Sequence, residues 1–439
     1  MPKGKRKGKS DFHKKPLNVD RTRNEALLQT SDEDSVNDNI SLISGYSENH
    51  STEEGTDEVD EIAQQEAFEE KLIEAVDGLT QKSAQGRTGS FESIGKAFIK
   101  KYVPDFVYDR RLTIIDSIER SLRKGRGAEQ GAAAELAPLL CVQLGSSDAS
   151  EEVARNLKPV LSTTANDNSV PALARAKCCS SLGLITYLAG GEMGDVLDLM
   201  QQLQVIFAGS YLKGDGSIPN VVADVAALHA AALSAWTLLF TLMAPSDVYT
   251  MIGNSTNFTP SLTQLSELLT SPHLEVRLSA GEALAIVFEL GRDYHDDFAE
   301  DFIPDLVETL RQLATDSHKY RAKKDRKQQR ATFRDILHYI ESDTLSDLQI
   351  RFGQEVLILD SWTRRKQYYT LCHILGSGLN MHLAENELLR DIFQLGNRLL
   401  INDGPTFKQS KLERHLLNAA AFKARTISRS KNRDKRSDF

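Results

Sequence analysis

From about Glu61 onward, apolar residues return at the helical period. Ile62, Leu72, Ile73, Val76 and Leu79 trace one amphipathic stretch, and Leu112, Ile115, Ile118 and Leu122 trace another within residues 108–124. Between such runs stand Gly125, Gly127, Gly145, Pro171, Gly190, Gly191, Gly214, Gly216, Pro245, Pro260 and Pro272. These residues stop helices, and their placement marks helix ends rather than strand turns.

Three of the runs can be laid over one another. Residues 275–290 place Arg277 early, the small residues Ala280 and Ala283 in the middle, and Leu284, Val287 and Leu290 after them. In residues 174–188, Arg175, Cys178 and Leu182 take the places of Arg277, Ala280 and Leu284; in residues 228–242 those places fall to His229, Ala232 and Trp236. The spacings of 54 and 48 residues are somewhat longer than the roughly 40–47 of armadillo and HEAT units. A small residue at mid-helix lets the neighbouring helix approach, and flanking Leu, Val and Ile fill the gap. Each helix pair then buries its apolar face only when the next pair stacks on it. The pattern predicts an all-α fold, an armadillo/HEAT-like α-solenoid, in preference to an ordinary helical bundle, which has no fixed-period self-similarity.

After Asp343 the texture changes. The runs at 350–352 and 356–359, separated by Gly353, can pair as a small hairpin before a helix over 361–375; Gly376 and Gly378 then break the chain ahead of an amphipathic stretch over 383–395. This reads as a small C-terminal domain that caps the solenoid. The expected organisation is a tail over 1–60, helical repeats over 61–343, the small domain over 344–404 and a basic C-terminal helix over 405–439.

Charge changes the picture at both ends. Over the whole chain the formal net charge is −9. Residues 1–23, however, carry nine Lys and Arg against two acids, residues 24–74 carry sixteen acids against Lys71 alone, and residues 411–439 carry nine Lys and Arg against three acids. Residues 1–60, polar and poor in aromatics, are expected to be disordered. The run from Ser31 to Ser35 within them reads either as an acidic-directed phosphorylation site or as a solvated acidic tail. Cys141, Cys178, Cys179 and Cys372 sit in apolar runs without the spacing of a secreted disulfide framework, and read as reduced core residues. No window approaches the run of roughly 20 apolar residues of a membrane-spanning helix, so an intracellular protein with no membrane partner is expected.

Catalytic constellations are missing from the reading. The run from Gly4 to Ser10 has three residues between its glycines instead of four and no strand before it, so it reads as a basic tail rather than a phosphate-cradling loop. His373 and His382 flank a Gly-Ser-Gly turn with Cys372 nearby, a spacing more typical of structural residues than of metal ligands. No enzyme activity, cofactor, metal or small-molecule substrate is expected.

Two basic elements remain. Lys319, Arg321, Lys323, Lys324, Arg326, Lys327 and Arg330 fall within twelve residues that contain one acid, Asp325. Such a run either attracts phosphates or is a solvated segment between helices. The second element is the end of the chain. There the apolar stripe Leu412, Leu416, Ala419, Ala420 and Phe422 gives way to Lys423, Arg425, Arg429, Lys431, Arg433, Lys435 and Arg436. The first half of such a helix can dock on a protein body, while the second has little to bury and is ordered by a polyanion. Arginine forks pair with phosphate, and a single helix fits an RNA-lined groove too narrow for a domain. The alternative is a nuclear-localisation or solubility tail.

Several motifs together resemble the interferon-related developmental regulator family: the runs at 116–125, 280–290, 313–323, 375–379 and 386–390, and above all the stretch from Glu413 through Asn418 to Thr426. The resemblance implies an armadillo-like fold with a distinct C-terminal domain. It also implies two activities: binding to idle ribosomes, where the terminal helix enters ribosomal RNA space used by messenger and transfer RNA, and transcriptional co-regulation with nuclear co-repressor proteins of histone-deacetylase complexes. Both cytoplasm and nucleus are thereby implied. Carried onto this chain, the inserted helix spans about 410–436, with Arg414, His415, Asn418, Lys423 and Arg425 in the matching stretch.

Overall fold

The computed structural model of the protein describes residues 57–253, 259–316, 322–397 and Lys423. Residues 1–56 of the expected disordered tail, with the region around Ser31, and all of the expected C-terminal helix except Lys423 lie outside the described residues; the last four residues of that expected tail, 57–60, instead open the first helix.

Helices pair with their sequence neighbours: α1 (Asp57–Gly78) with α2 (Ala84–Lys100), α3 (Pro104–Lys124) with α4 (Ala128–Leu144), α5 (Asp148–Asn166) with α6 (Ala172–Ala189), and α7 (Met193–Phe207) with α8 (Ala223–Phe240). The short helices α9 (Pro245–Gly253) and α10 (Leu262–Glu267) both pack on α11 (Leu274–Arg292), and α12 (Ile303–Thr315) pairs with α13 (Lys323–Ser342). The second helix of each unit also touches the second helix of the next, so α2, α4, α6, α8, α11 and α13 form one continuous inner row. This is the all-α, solenoid-like stack that the pattern predicts.

The central inner helices α4, α6, α8 and α11 are apolar on nearly every side because they are covered on nearly every side. In α4, fifteen residues from Glu129 to Leu144 are buried, and α11 is buried almost without interruption from Val276 to Gly291. One consequence corrects the sequence reading. α8, with mean hydropathy 1.4 over its 18 residues, is long and apolar enough to cross a membrane, yet most of it is buried inside the molecule. It is hydrophobic all round because α6, α7, α11 and the C-terminal segment enclose it. Close approach is equally visible: a Cβ at Gly183 of α6 would lie 2.8 Å from the Ala235 Cβ of α8.

The aligned polar position does one job in unit after unit. Arg175 Nε donates to Ala165 O in the last turn of α5 (2.8 Å), Arg277 Nη1 donates to Ser271 O in the turn before α11 (2.6 Å), and His229 Nδ1 meets Ser210 Oγ in the turn after α7 (2.7 Å). The same contact recurs in units that the alignment did not reach. Arg87 Nη1 donates to Gln81 O (2.8 Å), Gln130 Nε2 to Leu122 O (3.0 Å) and Gln329 Nε2 to Leu313 O (3.3 Å). A helix leaves its last four carbonyls unpaired, and a donor from the next helix satisfies one of them while fixing the angle between the two. Seven residues further on, Ile94, Ala137, Leu182, Trp236, Leu284 and Ile336 are all buried in the core.

The C-terminal segment departs from expectation in its position. Strands β1 (Leu348–Phe352) and β2 (Glu355–Leu359) pair antiparallel with Ile350 opposite Leu357, and α14 (Trp362–Leu375) starts at Ser361, whose Oγ accepts from Arg364 N at 3.0 Å. Then, instead of capping one end, the segment runs back along the inner row. α14 lies on α8 and α11: Lys366 Nζ donates to Ser234 Oγ (2.7 Å) and to Glu282 Oε2 (3.0 Å). The buried Glu289 carboxylate accepts from Trp362 N and Thr363 N, both at 2.7 Å, neutralising the positive end of α14 from another helix. The stretch expected as one helix over 383–395 is two, α15 (Leu379–Glu385) and α16 (Glu387–Ile392). The reason is Asn386: its Oδ1 caps Leu388 N (3.0 Å), and its Nδ2 reaches Val142 O of α4 at 2.7 Å. His382 Nε2 bonds Phe98 O of α2 at 2.9 Å.

Gly378 is the tightest point of this docking. A Cβ there would lie 1.8 Å from the Ile99 carbonyl oxygen, a backbone atom that cannot swing aside. Gly378→Ala is therefore expected to cost about 3 kcal/mol by forcing α15 off α2, read as a lowered urea midpoint of the full chain. An unchanged midpoint would show that this approach tolerates a methyl group.

Two buried histidines give the fold an acid limit. Burial lowers the pKa of His382, and burial, helped by Arg175 and His273, holds His229 down to about 4. Unfolded, both bind a proton near 6.5, so the unfolded state is the more protonated one and stability is complete above that pH. The part held by His229 is lost as pH falls from 6.5 toward 4, and His382 acts in the same direction. The unfolding free energy from urea titration is expected to be about 2 kcal/mol lower at pH 5 than at pH 7.5 from His229 alone, and a His229→Gln, His382→Gln double variant is expected to lose most of that dependence. A double variant as acid-sensitive as the parent would place the effect elsewhere.

Candidate nucleic-acid interface

α13 carries the part of the predicted basic run that the structure describes. Phe333, Ile336, Tyr339 and Ile340 are buried against α11 and α12 and set the helix's orientation. Gln329, 2 % exposed, ties its second turn down: Oε1 accepts from Arg277 Nη2 (2.6 Å), and Nε2 donates to Asp316 Oδ2 (3.1 Å) as well as to Leu313 O. With that face fixed, Lys323, Lys324 and Lys327 are left exposed, while Arg326 and Arg330 are half-buried. Lys319 and Arg321 lie outside the described residues.

The electrostatics of these lysines work against the helix. Lys323 and Lys324 occupy its first turn, where the unpaired N–H groups already concentrate positive charge. Lys323 and Lys327 are four residues apart, so two like charges share a face. No side chain caps this N-terminus, and none of the three lysines forms an ion pair with another described residue. Such a cluster is poorly chosen for helix stability and well chosen for holding phosphate, since lysines and free N–H groups converge on one turn.

At the other basic element, Lys423 lies in helix and is exposed. Arg414, His415, Asn418, Arg425, Arg429, Lys431, Arg433, Lys435 and Arg436 lie outside the described residues. The described residues before it end at a clamp. Arg390, 4 % exposed, forks onto Glu355 (Nη1–Oε1 2.9 Å, Nη2–Oε2 2.8 Å) and also donates to Leu383 O, Leu395 O, Gly396 O and Asn397 O. Sequence reasoning did not single out Arg390, nor Arg364, Arg365 and Lys366. The last three are nevertheless buried: Arg364 donates through Nη1 and Nη2 to Ile358 O and Phe393 O, Arg365 through Nη2 to Ser346 O, and Lys366 to Ser234 and Glu282. Burial pushes the Arg364 guanidinium down to about 10, still charged at neutral pH.

The reactive residue types are placed structurally. Cys141, Cys178 and Cys179 are buried and unbridged. Burial raises the thiol of Cys179 to about 12 and that of Cys372 to about 11, so neither is a thiolate at neutral pH. His382 is spent on Phe98, His373 is exposed, and among the described residues no group of three or more His, Cys, Asp or Glu is placed to hold a metal.

Comparison with known proteins places this architecture. Residues 39–341 match the interferon-related developmental regulator family, and residues 386–437 match a second pattern described as the interferon-related protein conserved region. The first spans α1 to α13; the second joins α16 and Arg390 to the terminal basic stretch in one block. Over 387 residues the chain is 43% identical to interferon-related developmental regulator 2 of Mus musculus, covering 88% of this chain and 86% of that protein. It is 41% identical over 413 residues to interferon-related developmental regulator 1 of Sus scrofa and 40% over 416 residues to that of Homo sapiens, in each case covering 93% of this chain and 90% of the relative. These relatives are named as regulators rather than as enzymes. With both halves matched in order and nearly the whole chain aligned, the protein belongs to the interferon-related developmental regulator family.

Proposed function

We propose that this protein is a non-catalytic ribosome-binding factor that represses translation. Its C-terminal helix, about 410–436, enters the ribosomal RNA space that messenger and transfer RNA use, on ribosomes that are idle. One observation carries the reading: positive charge in an acidic chain is gathered into a terminal stretch of nine Lys and Arg, and the body adds the unpaired Lys323, Lys324 and Lys327 on one exposed turn. The stacked helices supply a support, and Arg390 ties down residues 395–397. The partners are the ribosome and its RNA, met in the cytoplasm.

Sedimentation through sucrose gradients tests this directly. The full chain is expected to travel with ribosomes and to be released as salt rises, because contacts to phosphate exchange with counterions; a chain ending at Asp403 is expected to stay at the top. Undiminished co-migration of the shortened chain would overturn the proposal. A chain confined to the nucleus, with no ribosomal RNA recovered on crosslinking, would instead favour a co-regulator scaffold working with histone-deacetylase complexes.

A further inference from the structure

Two of the most exposed large apolar side chains among the described residues are Val205, 70 % exposed, and Val222, 66 % exposed. Both belong to one edge of the stack. A groove of about 450 Å³ opens there between the end of α5, α7 and the first turns of α6 and α8, with Val205, Ile206, Val225 and Leu228 on its apolar side and Arg175 and His229 on its polar side. Val222 immediately precedes α8, three residues before Val225, and Leu173, half exposed, lies on the first turn of α6 beside Arg175. Apolar surface gathered around one concavity, with a polar rim supplied by the exposed Asn166 and Asn168, is what interaction sites present.

Charge narrows the occupant. No carboxylate lines the groove. Arg175 uses Nε on the Ala165 carbonyl, and among the described residues it is in salt-bridge range of no acid. Asp167 is near enough to feel Arg175, but its carboxylate is taken by Ser169 N at 2.8 Å. Among the described residues the Arg175 guanidinium is therefore the one charged group on the groove's lining, beside the buried His229. A nucleic acid is a poor match: one arginine offers a single phosphate contact, and no Phe, Tyr or Trp ring lines the groove for a base to stack on. A peptide that places one carboxylate between apolar side chains matches both halves of the lining.

We infer that this groove docks an extended segment of another protein, with an Asp or Glu side chain on Arg175 and flanking aliphatic or aromatic side chains on Val205, Ile206, Val225 and Leu228. None of the lysines of α13 lines the groove, so it serves a second partner.

The test is selection from a phage-displayed library of random twelve-residue peptides on the immobilised full chain. A fluorescein-labelled copy of the strongest binder then goes to fluorescence anisotropy. The enriched peptides are expected to carry Asp or Glu beside Leu, Ile, Val or Phe. The labelled peptide is expected to lose about tenfold in affinity to Val205→Lys, to Arg175→Gln, and when its own acid is replaced by the amide. Because Val205 is solvent-exposed, Val205→Lys leaves the fold intact, which its circular dichroism verifies; it is also expected to sediment with ribosomes like the parent. No enrichment over a blank surface, enriched peptides without an acid, equal binding to Val205→Lys, or full displacement of the peptide by an RNA oligonucleotide would each overturn the inference.

Discussion

Arg390→Ala is expected to destabilise the protein by about 3–5 kcal/mol, among the largest losses of any single substitution outside the apolar core. The guanidinium is 4 % exposed and serves two functions at once. It pairs both nitrogens with the Glu355 carboxylate at the start of β2, and it gathers the carbonyls of Leu383, Leu395, Gly396 and Asn397. Alanine would leave Glu355, whose side chain is only 15 % exposed, without its cation, and four carbonyls without that donor. Each such loss in a dry site carries a desolvation penalty rather than merely a lost contact. Lysine is expected to rescue little, because a point charge cannot replace a planar fork that reaches five acceptors. Urea unfolding of the parent, Arg390→Ala, Arg390→Lys and Glu355→Gln would measure this, and a loss below about 1 kcal/mol for alanine would show the clamp to be incidental. The loss is local to the last described residues, since Leu395, Gly396 and Asn397 all rest on this guanidinium.

How much of this was readable from the sequence depends on which atoms make each contact. Arg175, His229 and Arg277 could be aligned because each is followed at fixed distances by a small and then a large apolar residue, a pattern borne by side-chain type. Gln130 and Gln329 do the same work, but glutamine is common on helices, and the spacing between successive clamps drifts from 43 to 54 residues, so those units escaped. The hairpin and the start of α14 were visible because alternation, Gly353 and Ser361 are local signals. The docking of α14 and α15 was not, because its partners are backbone groups far away in the chain: His382 on Phe98 O, Asn386 on Val142 O, Glu289 under the first N–H groups of α14. A carbonyl leaves no mark in the sequence. The same limit applies to Arg364, Arg365 and Lys366, whose acceptors only the fold assembles. The lysines of α13 were legible as a charge run, though not the placement of Lys323 and Lys324 on its first turn, which no side chain caps.

Replacing Lys323, Lys324 and Lys327 together by glutamine is expected to weaken ribosome binding on the order of tenfold to a hundredfold near physiological salt. The plot of log affinity against log salt is expected to flatten by about 2–3, since each lost phosphate contact removes roughly 0.7–0.9 from the slope. Stability is expected to move the other way. Lys323 and Lys324 oppose the helix dipole and Lys323 repels Lys327, so the variant should be more stable than the parent by a few tenths to about 1 kcal/mol. That opposition of signs separates the readings of this turn. A solvated segment with no ligand would gain stability and lose no binding, and a structurally required one would lose stability first. Only a turn that sacrifices helix stability to hold an anion combines a higher urea midpoint with weaker, less salt-dependent attachment to the particle. An unchanged salt slope in the triple variant would remove α13 from the interface and leave the terminal stretch to account for binding alone.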